Sequence, residues 1–393
     1  MRSLPSVCCF CLSGVLVMLA AAAAPAPKLH AGTSIPLTQG ELEEHWVVSG
    51  CKARLQDGVL ELLEGNGLVR THHAYRDFVL RLQWKPRRKA KYDSGIYFRA
   101  PLPPRGRPWP AGYQINLLQG REGQVGGLPG AKARPDLIAP GRWNQLELVV
   151  QGDRATLKIN GQLAWNVQGL KRPWGYVGLQ AEVPGGGPFA FRNVEIVELD
   201  HQPLLGREGF LQHWEPADPR RGECWKMDGP LLLCTGKRGT WLRSRKQYAD
   251  FNLRLQYRLQ PGGNSGVYLR VPRSGAHRGK SLGEPDAGVE IQILDDASPR
   301  YKNLKPYQYS ASLYAIAPAR PRVSHPAGKW NSLEIDCRGT RYRIWHNGQL
   351  VVEADARTHP ELAQRRLEGY LGLQNHHEPV WFRQVRIGPP LPP

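Results

Sequence analysis

The 393-residue sequence lacks the common signatures of enzyme chemistry. It contains no HExxH motif, no GxSxG motif, no glycine-rich phosphate loop and no cysteine spacing of a zinc site. Methionine is scarce, with 3 residues, whereas Gly (43), Pro (34), Trp (12) and Tyr (14) are plentiful. This composition favours many short strands over a helical bundle. We therefore expect a strand-rich protein and predict no cofactor and no metal site.

Long apolar runs are lacking after the N-terminal segment. Following Met1 and Arg2, an apolar stretch extends to residue 24 and ends in alanines before Pro25. One positive charge, an apolar core and small residues at the exit are typical of a secretory signal peptide, here residues 1–26. An uncleaved N-terminal anchor is the alternative, because the stretch is just long enough to span a bilayer. We expect an exported protein, periplasmic or extracellular.

Acidic residues are outnumbered, with 34 Asp and Glu against 53 Lys and Arg, a net charge of +19. The excess is spread over both halves and forms no basic tail or recognition helix, so nucleic acid is not expected as a partner. A basic exported protein can be attracted to an anionic cell surface, or its charge can simply be solvated. We expect a monomer.

Cysteine is sparse outside the apolar N-terminal segment, where Cys51, Cys224, Cys234 and Cys337 remain. Cys224 and Cys234 are equidistant from Gly229, so a hairpin turning there would place them opposite each other. They could form a cross-strand disulfide or stay as two free thiols. Cys337 occupies the position that an apolar strand residue, Val150, has in the other half of the chain, and it is predicted to be a buried thiol.

The remainder of the chain is one unit written twice. Nine matching features recur in the same order in residues 27–200 and 201–393, which indicates a tandem duplication with a boundary near residue 200. The clearest matches are RDFVLRLQW with ADFNLRLQY, DSGIYFR with NSGVYLR, GYQINLL with GVEIQIL, GRWNQLEL with GKWNSLEI, and FRNVEI with FRQVRI.

Both copies show the period-2 alternation of strands. In FVLRLQW every second residue is apolar, from Phe78 to Trp84. The Asn-Gly pairs at 160–161 and 347–348 are typical of hairpin turns. Only residues 360–366 suggest a short helix. We predict an all-β fold of two tandem β-sandwiches.

The strand GVEIQILDD of the second copy carries the most informative polar pattern. Its apolar residues share one face and should pack in the core, and they are Val289, Ile291 and Ile293. Glu290 and Gln292 share the opposite face, with Asp295 and Asp296 at the strand end. The first copy has no acid at the matching positions, which are Gln114, Asn116 and Gln119. This face suits sugar binding, although a solvated polar face or a glycosidase carboxylate pair would show the same residues.

Three further groups could converge on this strand. NSGVYLR places Tyr268 and Arg270 on a neighbouring strand, and its counterpart Arg99 in the first copy is typical of a structural residue. His376 follows soon after Gln374 and has a side chain suited to proton transfer. The loop inserted in the second copy adds cationic and aromatic side chains, which are Lys302, Lys305, Tyr307 and Tyr309.

These segments resemble the 3-keto-disaccharide hydrolase domain family, which has a concanavalin A-like jelly-roll fold. The resemblance rests on NSGVYLR, GVEIQILD, SLY, AGKWN and GLQNHHEPVWFRQVRI of the second copy, and it is looser in the first. The chain departs from the family pattern at Lys329, at Ser310-Ala311 and at the His376-His377 pair.

The resemblance implies cleavage of 3-keto-glycosides. A ketone at C3 acidifies the C2 hydrogen, so that a base can form an enolate, the C1 substituent leaves and water adds back. On this basis Glu290 and His376 are assigned as catalytic residues. The residues assigned to substrate binding are Asn264, Arg270, Gln292, Asp295, Tyr309 and Gln374.

The first copy, residues 27–200, lacks these acid and histidine positions and is expected to be a scaffold or a sugar-binding domain. The second copy, residues 201–393, is expected to retain activity alone if it folds independently. The alternative function is a lectin-like carbohydrate-binding protein of the cell envelope without turnover.

Overall fold

Antiparallel strands build both copies, as the alternation in the sequence predicts. The computed structural model describes residues 32–206, 209–278 and 286–392, and the predicted signal peptide lies outside the described residues. Within this described part, no helix is long and apolar enough to cross a membrane.

The first copy forms one continuous curled sheet. Its strands are β1 (Thr33–Pro36), β2 (Trp46–Gln56), β3 (Val59–Tyr75), β4 (Phe78–Pro86), β5 (Gly95–Ala100), β6 (Tyr113–Asn116), β7 (Asn144–Gln151), β8 (Arg154–Ile159), β9 (Gln162–Gln168), β10 (Gly175–Glu182) and β11 (Phe189–Glu198). The order is β6-β5-β10-β3-β11-β4-β7-β8-β9, with β1 on β11 and β2 on β3. The long β3 pairs with β11 in its first half and with β10 in its second, so it runs through both layers of the sandwich.

The second copy repeats this arrangement as two separate sheets. Its strands are β12 (Gln202–Pro203), β13 (Trp214–Pro216), β14 (Trp225–Asp228), β15 (Leu231–Cys234), β16 (Leu242–Tyr248), β17 (Phe251–Leu259), β18 (Asn264–Val271), β19 (Val289–Leu294), β20 (Trp330–Arg338), β21 (Arg341–His346), β22 (Gln349–Ala354), β23 (Gly369–Leu373) and β24 (Val380–Gly388). One sheet is ordered β14-β15-β24-β17-β20-β21-β22, with β12 on β24, and the other β13-β16-β23-β18-β19. The segment TGKRGTW separates β15 from β16, where the first copy has the unbroken β3. The prediction of two tandem jelly-roll sandwiches is confirmed.

Helical structure among the described residues is limited to short turns. One α-helical turn spans Val183–Gly186, and 3-10 turns span Leu42–Glu44, Pro135–Leu137, Pro219–Cys224, Pro306–Gln308 and Pro360–Gln364. The last of these falls within the segment predicted to be a short helix. None is long enough to form a layer of the fold.

The core of the second copy contains the residues that alternation assigned to it. Val289, Ile291, Ile293 and Cys337 are fully buried in one apolar cluster. The hairpin predicted at Gly229 is present, and all four cysteines described are free thiols. Cys234 lies opposite Trp225 rather than Cys224, because Asp228 pairs with Leu231 and the hairpin therefore turns between Gly229 and Pro230 instead of at Gly229 itself.

A buried ion cluster joins the two copies. Glu198 of the first copy accepts hydrogen bonds from Arg254 (2.9 Å) and Arg386 (2.7 Å) of the second. Glu334 of the second copy contacts Arg254 at 2.9 Å and His73 of the first copy, also at 2.9 Å. The two copies together form a single compact unit. Buried charges of this kind require their partners, which couples the copies energetically.

Candidate active site

The polar face of the five-stranded sheet in the second copy carries a pocket of about 120 Å³. Its lining residues are Asn264, Arg278, Glu290, Gln292, Leu294, Tyr301, Leu304, Gln308, Tyr314, Gln374 and His376. Because side chains alternate along β19, Glu290 and Gln292 face this pocket while their neighbours face the core. Residues 311–314 run along the free edge of β19 and bring Tyr314 to the rim, with its backbone N–H donating to the carbonyl of Glu290 at 2.9 Å.

Five of the eight residues predicted for the site meet in this pocket. They are Asn264, Glu290, Gln292, Gln374 and His376, and they come from β18, β19 and the segment that follows β23. These residues are distant in the sequence, and antiparallel pairing of β18 with both β19 and β23 brings them together.

Two glycines make room for the side chains of the site. A Cβ atom at Gly266 would lie 2.2 Å from Oε1 of Glu290. A Cβ atom at Gly372 would lie 2.6 Å from the ring of Trp241 and 2.9 Å from that of Tyr268. The glycines of NSG and GLQ therefore allow a carboxylate and two aromatic rings to lie flat against the sheet.

Glu290 is the one carboxylic acid among the described residues that line the pocket. Its side chain is only 4% exposed, and this burial raises the pKa of its carboxyl to about 8, although Arg278 and Gln374 act in the opposite direction. A carboxyl group with such a pKa exchanges its proton near neutral pH. It is therefore suited to proton transfer.

His277, which the sequence analysis missed, lies against this carboxyl group. Its Nε2 is 3.3 Å from Oε2 of Glu290, and its Nδ1 is 2.8 Å from the carbonyl oxygen of Gly275. The carbonyl oxygen of Gly275 accepts a hydrogen bond from the Nδ1–H, and this contact turns Nε2 toward the carboxyl group of Glu290. The imidazole stacks on Tyr268 with 4.4 Å between ring centres. The only available signal was its place in the connection between β18 and β19, which has to return to the start of β19.

The amide side chains of the pocket are held in fixed orientations. Gln292 donates from Nε2 to Oδ1 of Asn264 at 2.9 Å, and Gln374 donates from Nε2 to the hydroxyl of Tyr268 at 2.8 Å. Their remaining donors and acceptors suit the hydroxyl and carbonyl oxygens of a small polar molecule. Among the described residues, no group of three or more His, Cys, Asp or Glu side chains is arranged to hold a metal ion.

His376 lies at the mouth of the pocket. Its side chain is 50% exposed, and its Nδ1 is 3.4 Å from Oε2 of Glu378. Glu378 is in turn bound by Arg300 at 2.8 Å. The histidine is thus oriented by a carboxylate while its ring remains open to solvent and to a ligand at the mouth.

Arg270 lies elsewhere, which corrects its assignment to substrate binding. Its backbone adopts φ of 53° at an irregularity in the pairing of β18 with β23, and its guanidinium is buried. The guanidinium donates to the carbonyls of Ala249 and Gly339 and to the carboxylate of Asp250. Arg99 makes the same three contacts in the first copy, with Arg76, Gly152 and Asp77. The arginine is a structural feature of both copies.

Asp295 and Tyr309 also lie outside the pocket. Oδ2 of Asp295 accepts from the backbone N–H of Gly262 at 2.8 Å, so this carboxylate holds a turn. The ring of Tyr309 is covered by the guanidinium of Arg322, 3.1 Å from the ring centre. The inserted loop does reach the pocket, but through Tyr301, Leu304 and Gln308.

In the first copy an amide takes the place of the central carboxylate. Gln114 lies opposite Tyr97, as Glu290 lies opposite Tyr268, and it packs against Gly95 as Glu290 does against Gly266. Gln114 donates to Gln180, which donates to Glu182 at 2.8 Å. An acid is therefore present near this face, but on β10 and not at the position of Glu290.

Comparison with known proteins gives this arrangement its family. The model of the 3-keto-alpha-glucoside-1,2-lyase-like domain matches residues 33–197 and again residues 205–388. The chain belongs to this family and carries its domain twice in tandem, as the sequence predicted.

Among characterised relatives, the 3-keto-disaccharide hydrolase of Bacteroides thetaiotaomicron is 29% identical over 170 residues. The match covers 36% of this chain and 59% of the relative, so the chain spans about three fifths of that protein's length. A provisionally assigned glycosyl hydrolase from Parabacteroides distasonis is 25% identical, with a TM-score of 0.39 over 48% of this chain and 98% of the other. The carbohydrate-binding module CBM66 from Bacillus subtilis is 14% identical, with a TM-score of 0.32 over 39% and 96%.

Proposed function

We propose that this protein is an enzyme that cleaves the glycosidic bond of 3-keto-glycosides by elimination followed by hydration. The observation that carries the proposal is the buried Glu290, whose carboxyl group has its pKa raised to about 8 and lies 3.3 Å from His277 in a polar pocket. Membership of the 3-keto-alpha-glucoside-1,2-lyase-like family supports this choice of substrate and bond.

The proposed reaction begins at C2 of the keto-sugar. A base takes the C2 proton, and the electron pair of that bond forms an enolate with the C3 carbonyl. The enolate collapses to a C1–C2 double bond, the C1–O bond breaks, and the departing oxygen takes a proton. Water then adds to C1 and a proton returns to C2, which releases the free 3-keto-sugar. The net change is hydrolysis, with no oxidant or reductant consumed.

Glu290 is proposed as the base at C2. A base is most effective when its pKa is close to the working pH, and burial brings the pKa of Glu290 into that range. Transfer of the Glu290 proton to Nε2 of His277, 3.3 Å away, leaves the carboxylate beside an imidazolium and so favours the form that acts as the base. The amides of Asn264, Gln292 and Gln374 are positioned to bind oxygens of the sugar, including the oxygen that becomes the enolate.

His376 is proposed as the acid that protonates the leaving oxygen. It lies at the mouth of the pocket, where the leaving sugar would exit, and Glu378 orients its ring.

We further propose that the first copy, residues 27–200, is non-catalytic and supports the second, residues 201–393. Its pocket position is Gln114, and an amide cannot act as a base at this pH. Export directed by residues 1–26 would place the enzyme outside the cytoplasm, where the substrate would be an extracytoplasmic glycoside.

A chemically 3-oxidised disaccharide tests the proposal. Wild-type protein should release its reducing sugar, and Glu290→Gln should lower kcat/KM about 100-fold or more. Glu368→Gln removes an exposed carboxylate from the same copy and is the matched control, with turnover expected to be unchanged. Binding of the disaccharide by wild-type protein without release of sugar would overturn the proposal and favour a lectin-like function.

A further inference from the structure

A second cavity, of about 1180 Å³, lies at the junction of the two copies and is called the junction cavity here. The first copy contributes residues of β2, the loop after β5 and the loop that leads into β10. The second copy contributes residues of β21 and β22. The cavity is far larger than the pocket around Glu290, and it shares no lining residue with that pocket.

The charges of the junction cavity are strongly one-sided. Four arginines line it, namely Arg70, Arg107, Arg172 and Arg343, against the single carboxylate of Glu353. Glu353 is ion-paired with Arg341, and Arg343 is ion-paired with Asp336 at 2.7 Å. Three of the four arginines therefore carry charge that these carboxylates do not balance.

None of these three arginines, which line the cavity, is paired with a carboxylate among the described residues. Arg70 is buried and donates to the carbonyls of Thr71 (3.0 Å) and Gly348 (2.7 Å), so its charge meets oxygen dipoles and no carboxylate. Arg107 and Arg172 are exposed, and neither side chain has an ion pair or a hydrogen bond within the described ranges. Such a site favours an anion, and the planar guanidinium group matches a carboxylate in two-point geometry.

Aromatic faces lie beside these cations. Trp174 is partly exposed on the first copy, and Trp345 and Tyr176 form more deeply buried parts of the wall. The C–H face of a pyranose ring packs well on an indole ring, because that face of the sugar is apolar. A cavity of about 1180 Å³ with arginines and tryptophans in its wall therefore fits several acidic sugars better than an isolated small anion.

We propose that the junction cavity binds an oligosaccharide that carries carboxylates, of the uronic acid class. The choice of a carbohydrate rests on the proposed function, whereas the requirement for negative charge rests on the arginines alone. Binding at this cavity would hold the protein on an acidic polysaccharide while the pocket around Glu290 processes keto-sugars at a separate place.

Calorimetry with the α-1,4-linked tetramer of galacturonic acid tests this, with the methyl-esterified tetramer as a neutral ligand of the same length. The protein should carry Glu290→Gln, so that binding is measured without turnover. The acidic tetramer should bind, and the esterified tetramer should bind about tenfold more weakly or not at all. Added salt should lower the affinity for the acidic tetramer. The affinity for the acidic tetramer should fall about tenfold or more in the double variant Arg107→Gln with Arg172→Gln. It should fall by a similar factor in the single variant Trp174→Ala.

The matched control is Arg121→Gln with Arg154→Gln, which removes two exposed arginines of the first copy that do not line the cavity. It should leave binding unchanged. Absence of binding by the acid, equal binding of the ester, or equal weakening by the control pair would each overturn the inference. Since release of sugar from a 3-oxidised disaccharide is measured in the wild-type protein, its success or failure is independent of these results.

Discussion

Replacement of Glu198 by glutamine probes the coupling between the two copies. Glu198 is fully buried at the interface and holds Arg254 and Arg386, which are each 1% exposed. Burial alone would raise the pKa of this carboxyl group, but the two arginines hold it well below its usual value. The change to glutamine keeps the size of the side chain and removes its charge.

The expected cost follows from what is left behind. Arg254 keeps Glu334 at 2.9 Å, but Arg386 is left with the carbonyl oxygen of Gln384. Removal of one partner from a buried ion pair costs about 3–5 kcal/mol, because the remaining charge stays desolvated without compensation. Such a loss is a large share of the roughly 5–15 kcal/mol by which folded proteins are stable.

Urea unfolding followed by tryptophan fluorescence measures this cost. Glu64→Gln is the control, since Glu64 pairs with Lys52 at 3.0 Å where both side chains are about two-thirds exposed. The control should change the free energy of unfolding by less than about 1 kcal/mol. A cost below 1 kcal/mol for Glu198→Gln as well would refute the account of the interface. By the same reasoning, residues 201–393 alone should fail to fold stably, so the independent folding on which their activity in isolation depends is not expected.

Three further predictions follow from the site and the core. Gly266→Ala places a methyl group against the Glu290 carboxyl and should lower kcat/KM about tenfold or more with little loss of melting temperature, whereas Gly126→Ala, in open space, should change neither. If Glu290 is the base, kcat/KM should rise as the pH rises through about 8, where its carboxyl group loses a proton. His277→Phe keeps a ring stacked on Tyr268 but removes the group that takes up this proton, so the midpoint of the rise in kcat/KM should move to higher pH. Burial lowers the pKa of His45 to about 3, so its contribution to stability is present above the ordinary histidine pKa and is lost on acidification. His72, His73 and His346 are buried in the same way, so the loss measured by urea unfolding between pH 6.5 and pH 4 has several contributors, and His45→Asn should reduce it by about 3 kcal/mol.

The period-2 alternation of apolar and polar residues predicted most of the fold, because successive side chains of a strand point to opposite faces and one face packs on the core. The two copies could be aligned by their motifs. Alternation along β19 placed the side chain of Glu290 on the face away from the core residues Val289 and Ile291, as the structure has it. The break between β15 and β16 was not predicted, since a strand crossing two layers and two shorter strands have the same alternation.

The errors at the site have local physical causes. Tyr268 and Arg270 would share a face in a regular strand, but the left-handed backbone of Arg270 and the irregular pairing beside it turn the guanidinium away from the pocket. The carboxylate of Asp295 accepts a hydrogen bond from the backbone of the turn at Gly262, a tertiary contact that the sequence does not show. His277 lies in a loop without periodicity, so nothing in its sequence context related it to Glu290.

The most direct test of the proposed chemistry is turnover of a 3-keto-disaccharide in D₂O, with early samples analysed for deuterium at C2 of the released keto-sugar. Removal of the C2 proton by Glu290 and its later return from solvent predict deuterium at C2 in the wild-type product, above the level in a protein-free incubation. Release of the sugar with the original hydrogen still at C2 would contradict the account, because the bond would then have broken without a base acting at that carbon.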